Sequence, residues 1–314
     1  MHLVLLLFAL FASLFTLQKE ALSYSEPFFL IGSRMAFAGV LLLAFYFLKN
    51  GKLDISKRHI KPLVILGVTN IYLTNICEIW GLNNMGSAKT CLIYSLSPFV
   101  AAFVAYILLG EQMNKKKWYG MFIGIIGLIP IFYTQTEQEI SAGKFWFISY
   151  AELSILGAVI FSVYGWITLK DLMQNHKMSP ILANGASMLL GGTLALIHSY
   201  TAGEAWTPVP ILKDVEMFIV YAAVLCIISN IICYNLYGHL LKRFSATFMS
   251  FSGLTTPLFA SLFGWLLLNE EITWHYLAAI AFFSVGLYIF YIEEPQTNTK
   301  SQVTNDTKEE IVAS

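Results

Sequence analysis

"SPFVAAFVAYILLGE" occupies residues 97–111, and "TPLFASLFGWLLLNE" occupies residues 256–270. Each begins with a hydroxyl residue and a proline, runs apolar, and closes on a glutamate. Pro98, Glu111 and Gly127 are answered by Pro257, Glu270 and Gly286 at one shared offset of 159 residues. Leucines coincide through composition alone; a proline, a glutamate and a glycine in one frame do so far less often. Upstream the register drifts by one or two residues. "SA" at 87–88 answers "SA" at 245–246, and Gly81 answers Gly238. Farther back, Lys19, Pro27 and Gly39 are answered by Lys170, Pro180 and Gly192, with the same proline-to-glycine gap of 12. Residues 1–135 and 145–292 therefore read as two copies of one unit.

Composition says what the unit is made of. The 314 residues are 57% hydrophobic and 12% charged, with a mean hydropathy of +0.66. Soluble domains carry roughly 45–50% apolar and about 25% charged residues, so this chain has too little polar surface to coat a globule in water. Apolar runs near the length that spans a bilayer recur at about 2–18, 27–48, 62–82, 89–109, 117–134, 146–168, 180–200, 217–238, 245–268 and 273–292. They are continuously apolar rather than alternating, which argues against a β-barrel. The fold expected is an all-α polytopic membrane protein of ten helices. Five spans per copy turn the second copy upside down, the inverted-repeat plan of alternating-access transporters.

The first span has no basic leader and no small-x-small cleavage site, so it reads as a retained helix. The stretch 293–314, "EEPQTNTKSQVTNDTKEEIVAS", is polar throughout and reads as a disordered tail. Basic residues set the orientation. Loops on the side of the N-terminus hold Lys49, Lys52, Lys57, Arg58, Lys61, Lys115, Lys116, Lys117, Lys170, Lys177, Lys242 and Arg243. The opposite loops hold Lys19, Lys89, Lys144 and Lys213. The bias places both termini in the cytoplasm.

The pattern resembles the ten-helix drug/metabolite transporter superfamily, in particular its EamA-type members. The resemblance rests on "SPFVAAFVAYILLGEQMNKKKWYGMFIGIIG" (97–127), its counterpart running from Pro257 to Gly286, and "LQKEALSYSEPFFLIGSRM" with Lys19, Pro27 and Arg34. It implies secondary transport of small organic solutes, without ATP, in a bacterial inner membrane or an organelle membrane. Glu78 and Glu152 lie outside the family's general pattern and bear on substrate rather than fold.

A carboxylate at the centre of a membrane helix costs at least ~2.5–3.5 kcal/mol and so needs a cavity or a partner. Glu78, in "NIYLTNICEIWGL", and Glu152, in "ISYAELSIL", are therefore candidates to hold a cationic group or a coupling proton. The bland alternatives are an interfacial position or a helix–helix salt link, with Lys89 or Lys144. Tyr72, Asn75 and Trp80 accompany Glu78 on the third span, and Asn230, Asn235, Tyr234 and Tyr237 lie on the eighth. Spacing of three, four and seven sets Asn230, Tyr234 and Tyr237 on one helix side. Matching at an offset of 157 pairs Glu78 with Asn235 and Trp80 with Tyr237. Tyr94, Tyr164 and Trp166 complete the candidate binding set, against the alternatives of interfacial belts and helix-gluing amides. Glu111 and Glu270 end helices where a negative charge opposes the macrodipole. Together with Lys19, Arg34, Pro98 and Pro257 they read as structural or gate residues. For Glu111 and Glu270 that means capping the following helix or pairing with a base; for Lys19 and Arg34, snorkelling or closing the outer vestibule.

Gly120, Gly124 and Gly127 form a close-packing rhythm rather than a phosphate loop, and no P-loop occurs in the sequence. Cys77, Cys91, Cys226 and Cys233 form no C-x-x-C pair, and the six histidines show no ligand spacing. No metal, cofactor or nucleic-acid partner is expected, and no nucleophile–base set suggests a membrane enzyme. The partners expected are a small-molecule substrate and the bilayer, with a homodimer left open. Family members resembling this chain move amino acids, sugars, nucleotide derivatives or, in some intracellular bacteria, S-adenosylmethionine against S-adenosylhomocysteine. An acid beside tyrosines and tryptophans suits a sulfonium or ammonium, where cation–π attraction is ~0.5–2 kcal/mol. S-adenosylmethionine exchange is the specific expectation; a cationic amino acid or drug meets the same chemistry.

Overall fold

The computed structural model describes residues 2–109, 113–132, 134–240, 252–253, 255–271 and 273–291. Among these residues ten apolar helical runs follow one another. They are α1 His2–Ala21, α2 Pro27–Asn50, α3 Lys57–Asn84, α4 Ser87–Tyr94 continued as Ser97–Leu109, and α5 Lys115–Ile126 continued as Ile129–Phe132. The second set is α6 Tyr150–Gln174, α7 Pro180–Thr201, α8 Val215–Leu240, α9 Thr255–Leu268 and α10 Trp274–Tyr291. Seven are long and apolar enough to cross a bilayer, and α9 and α10 are shorter apolar helices. Residues 245–251, expected at the start of the ninth span, the tail 293–314 and Glu111 lie outside the described residues.

Local chemistry places the helix starts. Pro27 and Pro180 open α2 and α7, where the missing N–H belongs to an unbonded first turn. Pro98 and Pro257 sit in the first turn of the second segment of α4 and of α9. At the break in α4, Pro98 costs little. Asn114, Ser149 and Asp214 cap α5, α6 and α8 through their side-chain oxygens. Gly51, at φ 72°, ends α2 in the left-handed conformation.

Two helices are interrupted at depth. Inside α3, Gly67–Leu73 is a π-helix, and inside α8, Cys226–Cys233 is another. These wide turns were not visible in the periodicity. They correct the helical-wheel reading of α8, because an i→i+5 turn rotates what precedes it. Asn230, within the π turn, points its amide at the sulfurs of Met35, 2.7 Å away, and Met188, 3.9 Å away.

Glycines set which helices touch. A Cβ on Gly39 would stand 2.8 Å from the Leu189 Cα, and one on Gly192 would stand 2.9 Å from the Ala36 Cα. α2 and α7 thus cross backbone to backbone, at two glycines that answer each other in sequence. α5 and α10 do the same: a Cβ on Gly286 would lie 2.7 Å from the Gly120 carbonyl oxygen. Small residues let apolar helices approach in lipid, where no hydrophobic effect drives them together. One apolar core gathers around α1, α2, α3, α7 and α8, and another around α3, α4, α5, α6 and α10.

Candidate functional site

The polar centre is built around Glu78, on the straight part of α3 beyond its π turn. Gln18 of α1 donates Nε2 to Glu78 Oε1 at 3.0 Å. Arg34 of α2 is 3% exposed, and its Nε and Nη1 have no hydrogen-bond acceptor among the described residues. Arg34, Tyr94 of α4 and Tyr234 of α8 all lie within electrostatic range of the Glu78 carboxylate. Leaving a charged donor buried without an acceptor costs more than the usual ~1–3 kcal/mol for a polar group, so this guanidinium is set to receive an anion. Aromatic faces stand alongside. Trp166 of α6 lies 4.6 Å from the Tyr237 ring and 5.3 Å from Tyr234, and Tyr94 meets Phe15 edge-on at 5.9 Å. The arrangement offers a carboxylate for a cation, a guanidinium for a carboxylate, and flat faces for an aromatic ring.

The π turns free backbone carbonyls, which asparagines recover. Asn75 donates Nδ2 to the carbonyls of Ile71 (2.8 Å) and Asn70 (3.2 Å). Asn235 does the same for Ile231 (2.8 Å) and Asn230 (3.3 Å). "TNIYLTN" at 69–75 and "SNIICYN" at 229–235 are one motif at an offset of 160 residues. The offset of 157 is corrected: Asn235 answers Asn75, not Glu78. The repeated S/T-N-I-x-x-x-N was the available signal.

At one end of the bundle, charged side chains tie helix ends together. Glu270, just after α9, accepts the amides of Ser87 (2.6 Å) and Ala88 (3.0 Å). It therefore caps α4 rather than the helix that follows it. Glu204 accepts the amides of Phe28 (2.7 Å) and Phe29 (2.9 Å) at the start of α2. Each carboxylate meets two orphan donors and the positive end of a helix dipole. Lys19 closes the opposite type of end, donating to the carbonyls of Leu82 (2.8 Å) and Asn83 (3.1 Å) at the end of α3. Lys89 was expected in a loop; it is 1% exposed within α4, bound to Glu139 at 2.6 Å and Glu152 at 2.7 Å. Burial pushes the Glu139 carboxyl up, with Lys89 pulling it back.

The expected residues therefore divide. Glu78, Tyr94, Trp166 and Asn75 come together around the polar centre, joined by Arg34. Glu152 does not: its carboxylate accepts the Ser149 amide at 2.6 Å in a capping box and pairs with Lys89. Tyr164, on α6, is 36% exposed. Tyr72 is held by His198 at 3.1 Å, and Trp80 packs against the second apolar core. Asn235 and Asn230 serve helix packing, and Pro98 and Pro257 serve helix starts. Gln18 enters the site without having been singled out for it, and Tyr234 and Tyr237, noted on the eighth span, join it.

Ten apolar helical runs among the described residues, with a polar centre beside two apolar cores, define a polytopic membrane protein. The EamA-like transporter family model matches residues 1–133 and again 149–292, and the chain belongs to that family. An S-adenosylmethionine/S-adenosylhomocysteine transporter of Chlamydia trachomatis serovar L2 is 39% identical over 287 residues, covering 91% of this chain and 86% of the relative. The protein of the same description in Chlamydia muridarum is 37% identical over 286 residues, covering 91% and 89%. An uncharacterized inner membrane transporter of Escherichia coli, YedA, is 28% identical over 280 residues, covering 84% and 83%. A solved crystal structure, 14% identical, superposes with a TM-score of 0.61 over 92% of this chain and 95% of its own, which concerns the fold alone.

Proposed function

We propose that this chain exchanges S-adenosylmethionine for S-adenosylhomocysteine across a bacterial inner membrane, its two halves acting as inverted repeats around the polar centre. The observation that carries the reading is the 39% identity, over 91% of this chain, to a transporter described by those two solutes. The chemistry of the centre supports it. Glu78 takes the sulfonium or the α-ammonium, Arg34 takes the α-carboxylate that its two unpartnered donors lack, and the Trp166–Tyr237 faces take the adenine. S-adenosylhomocysteine keeps every one of these features except the sulfonium charge. The tied end, with Glu270 and Glu204 on helix starts, is the closed gate of the cycle.

A cationic amino acid or drug would satisfy Glu78 but not the adenine faces. The test is competition in proteoliposomes carrying the purified protein and labelled S-adenosylmethionine. S-adenosylhomocysteine should block uptake, while lysine and a quaternary ammonium drug at equal concentration should not. Equal block by lysine would contradict the assignment.

A further inference from the structure

At the end of the bundle opposite the tied one, the α2–α3 and α6–α7 turns enclose a cavity of about 450 Å³. Lys57, Arg58 and Lys177 supply three fixed positive charges to its wall, against the one carboxylate of Asp54. Asp171 stands behind, 3.6 Å from His176. His59 and His176 face each other across the wall with ring centroids 5.7 Å apart. His59 stands between two donors, the Ser56 amide 3.2 Å from Nδ1 and Arg58 Nε, whose N–H points at Nε2 3.2 Å away. The ring contact holds the Arg58 guanidinium at the cavity wall.

Two helices start at this wall. Ser56, in a capping box, precedes α3 and Ser179 precedes α7, so the positive ends of both dipoles add to the side-chain cations. Exposed apolar residues adjoin the lining in sequence: Phe47 and Leu48 follow Tyr46 on α2, and Ile60 follows His59 on α3. A cationic concavity adjoined by exposed apolar residues suits a headgroup whose chains remain in the bilayer.

We propose that this cavity binds the phosphate of an anionic phospholipid on the face that carries the basic loops. It is separate from the Glu78 centre and does not depend on what that centre transports. The shared chemistry is a phosphate ester, and a soluble phosphate is the other source of it.

The experiment uses the full chain in a nonionic detergent and follows thermal melting by tryptophan fluorescence. The additives are water-soluble dihexanoyl phosphatidylglycerol, dihexanoyl phosphatidylcholine and inorganic phosphate. Phosphatidylglycerol should raise the melting temperature and phosphatidylcholine should not. The Arg58→Gln/Lys177→Gln double variant should need at least about tenfold more phosphatidylglycerol for the same shift. The two single variants, each with a smaller loss, keep the test open if the double variant folds poorly. Equal shifts with both lipids, or an unchanged response in the variants, would overturn the site. A shift with inorganic phosphate but none with phosphatidylglycerol would overturn the lipid source and leave a soluble phosphate ester as the ligand.

Discussion

Glu78 has one amide donor from Gln18, while Arg34 keeps two donors unmet, although each charge feels the other. A membrane site that paired them directly would be closed to a zwitterion; held apart, they match an ammonium at one end and a carboxylate at the other. Glu78→Gln should cut exchange at least tenfold without lowering the melting temperature, because glutamine still accepts from Gln18. Arg34→Gln should raise the half-saturating concentration of both solutes, since both carry the carboxylate. Exchange unchanged in either variant would remove that residue from the site. Glu139 gives a second residue-scale test. Its carboxyl is raised above the ordinary value of 4.5 by burial. The folded state therefore holds that proton more tightly than the unfolded chain. The resulting stabilisation is full below the ordinary carboxylate range and is lost as pH rises through the raised value. Melting followed across that window should flatten in Glu139→Gln; an unaltered profile would contradict it. Glu78 was legible in the sequence because an acid in an apolar run needs a reason. Gln18 was not, since its role depends on α1 lying against α3.

Ten apolar runs predicted ten helices, and the boundaries that fall among the described residues agree to within about six residues, because lipid fixes both length and composition. Proline and glycine positions told where helices start and cross. The π turns in α3 and α8 were hidden, since hydropathy is blind to a widened turn, and the offset of 157 passed over the repeated asparagine motif. Asn75 and Asn235 hold these turns by supplying donors to the carbonyls of the widened turn. Asn75→Ala and Asn235→Ala should each destabilise by about 1–3 kcal/mol. The check is denaturation in detergent against Thr168→Ala, an exposed hydroxyl control on α6. Losses no larger than the control would mean the π turns need no such support.

At the scale of the whole molecule, the carboxylates Glu204 and Glu270 reach from the second half to cap helices of the first, so one end ties the halves together. Sequence symmetry showed the repeated glutamate but not its distant partner, because a cap's acceptor and donors need not be neighbours along the chain. The proposed exchange also has an electrical consequence. S-adenosylmethionine carries one more positive charge than S-adenosylhomocysteine at neutral pH, so one-for-one exchange moves a charge in each cycle. A membrane potential then acts with ~2.3 kcal/mol per 100 mV.

The most direct measurement is counterflow in proteoliposomes preloaded with S-adenosylhomocysteine, with labelled S-adenosylmethionine outside and a potassium–valinomycin potential imposed. The account predicts uptake that requires the preload and rises when the interior is made negative. Uptake of equal size in empty vesicles, or none in either from folded protein, would contradict it.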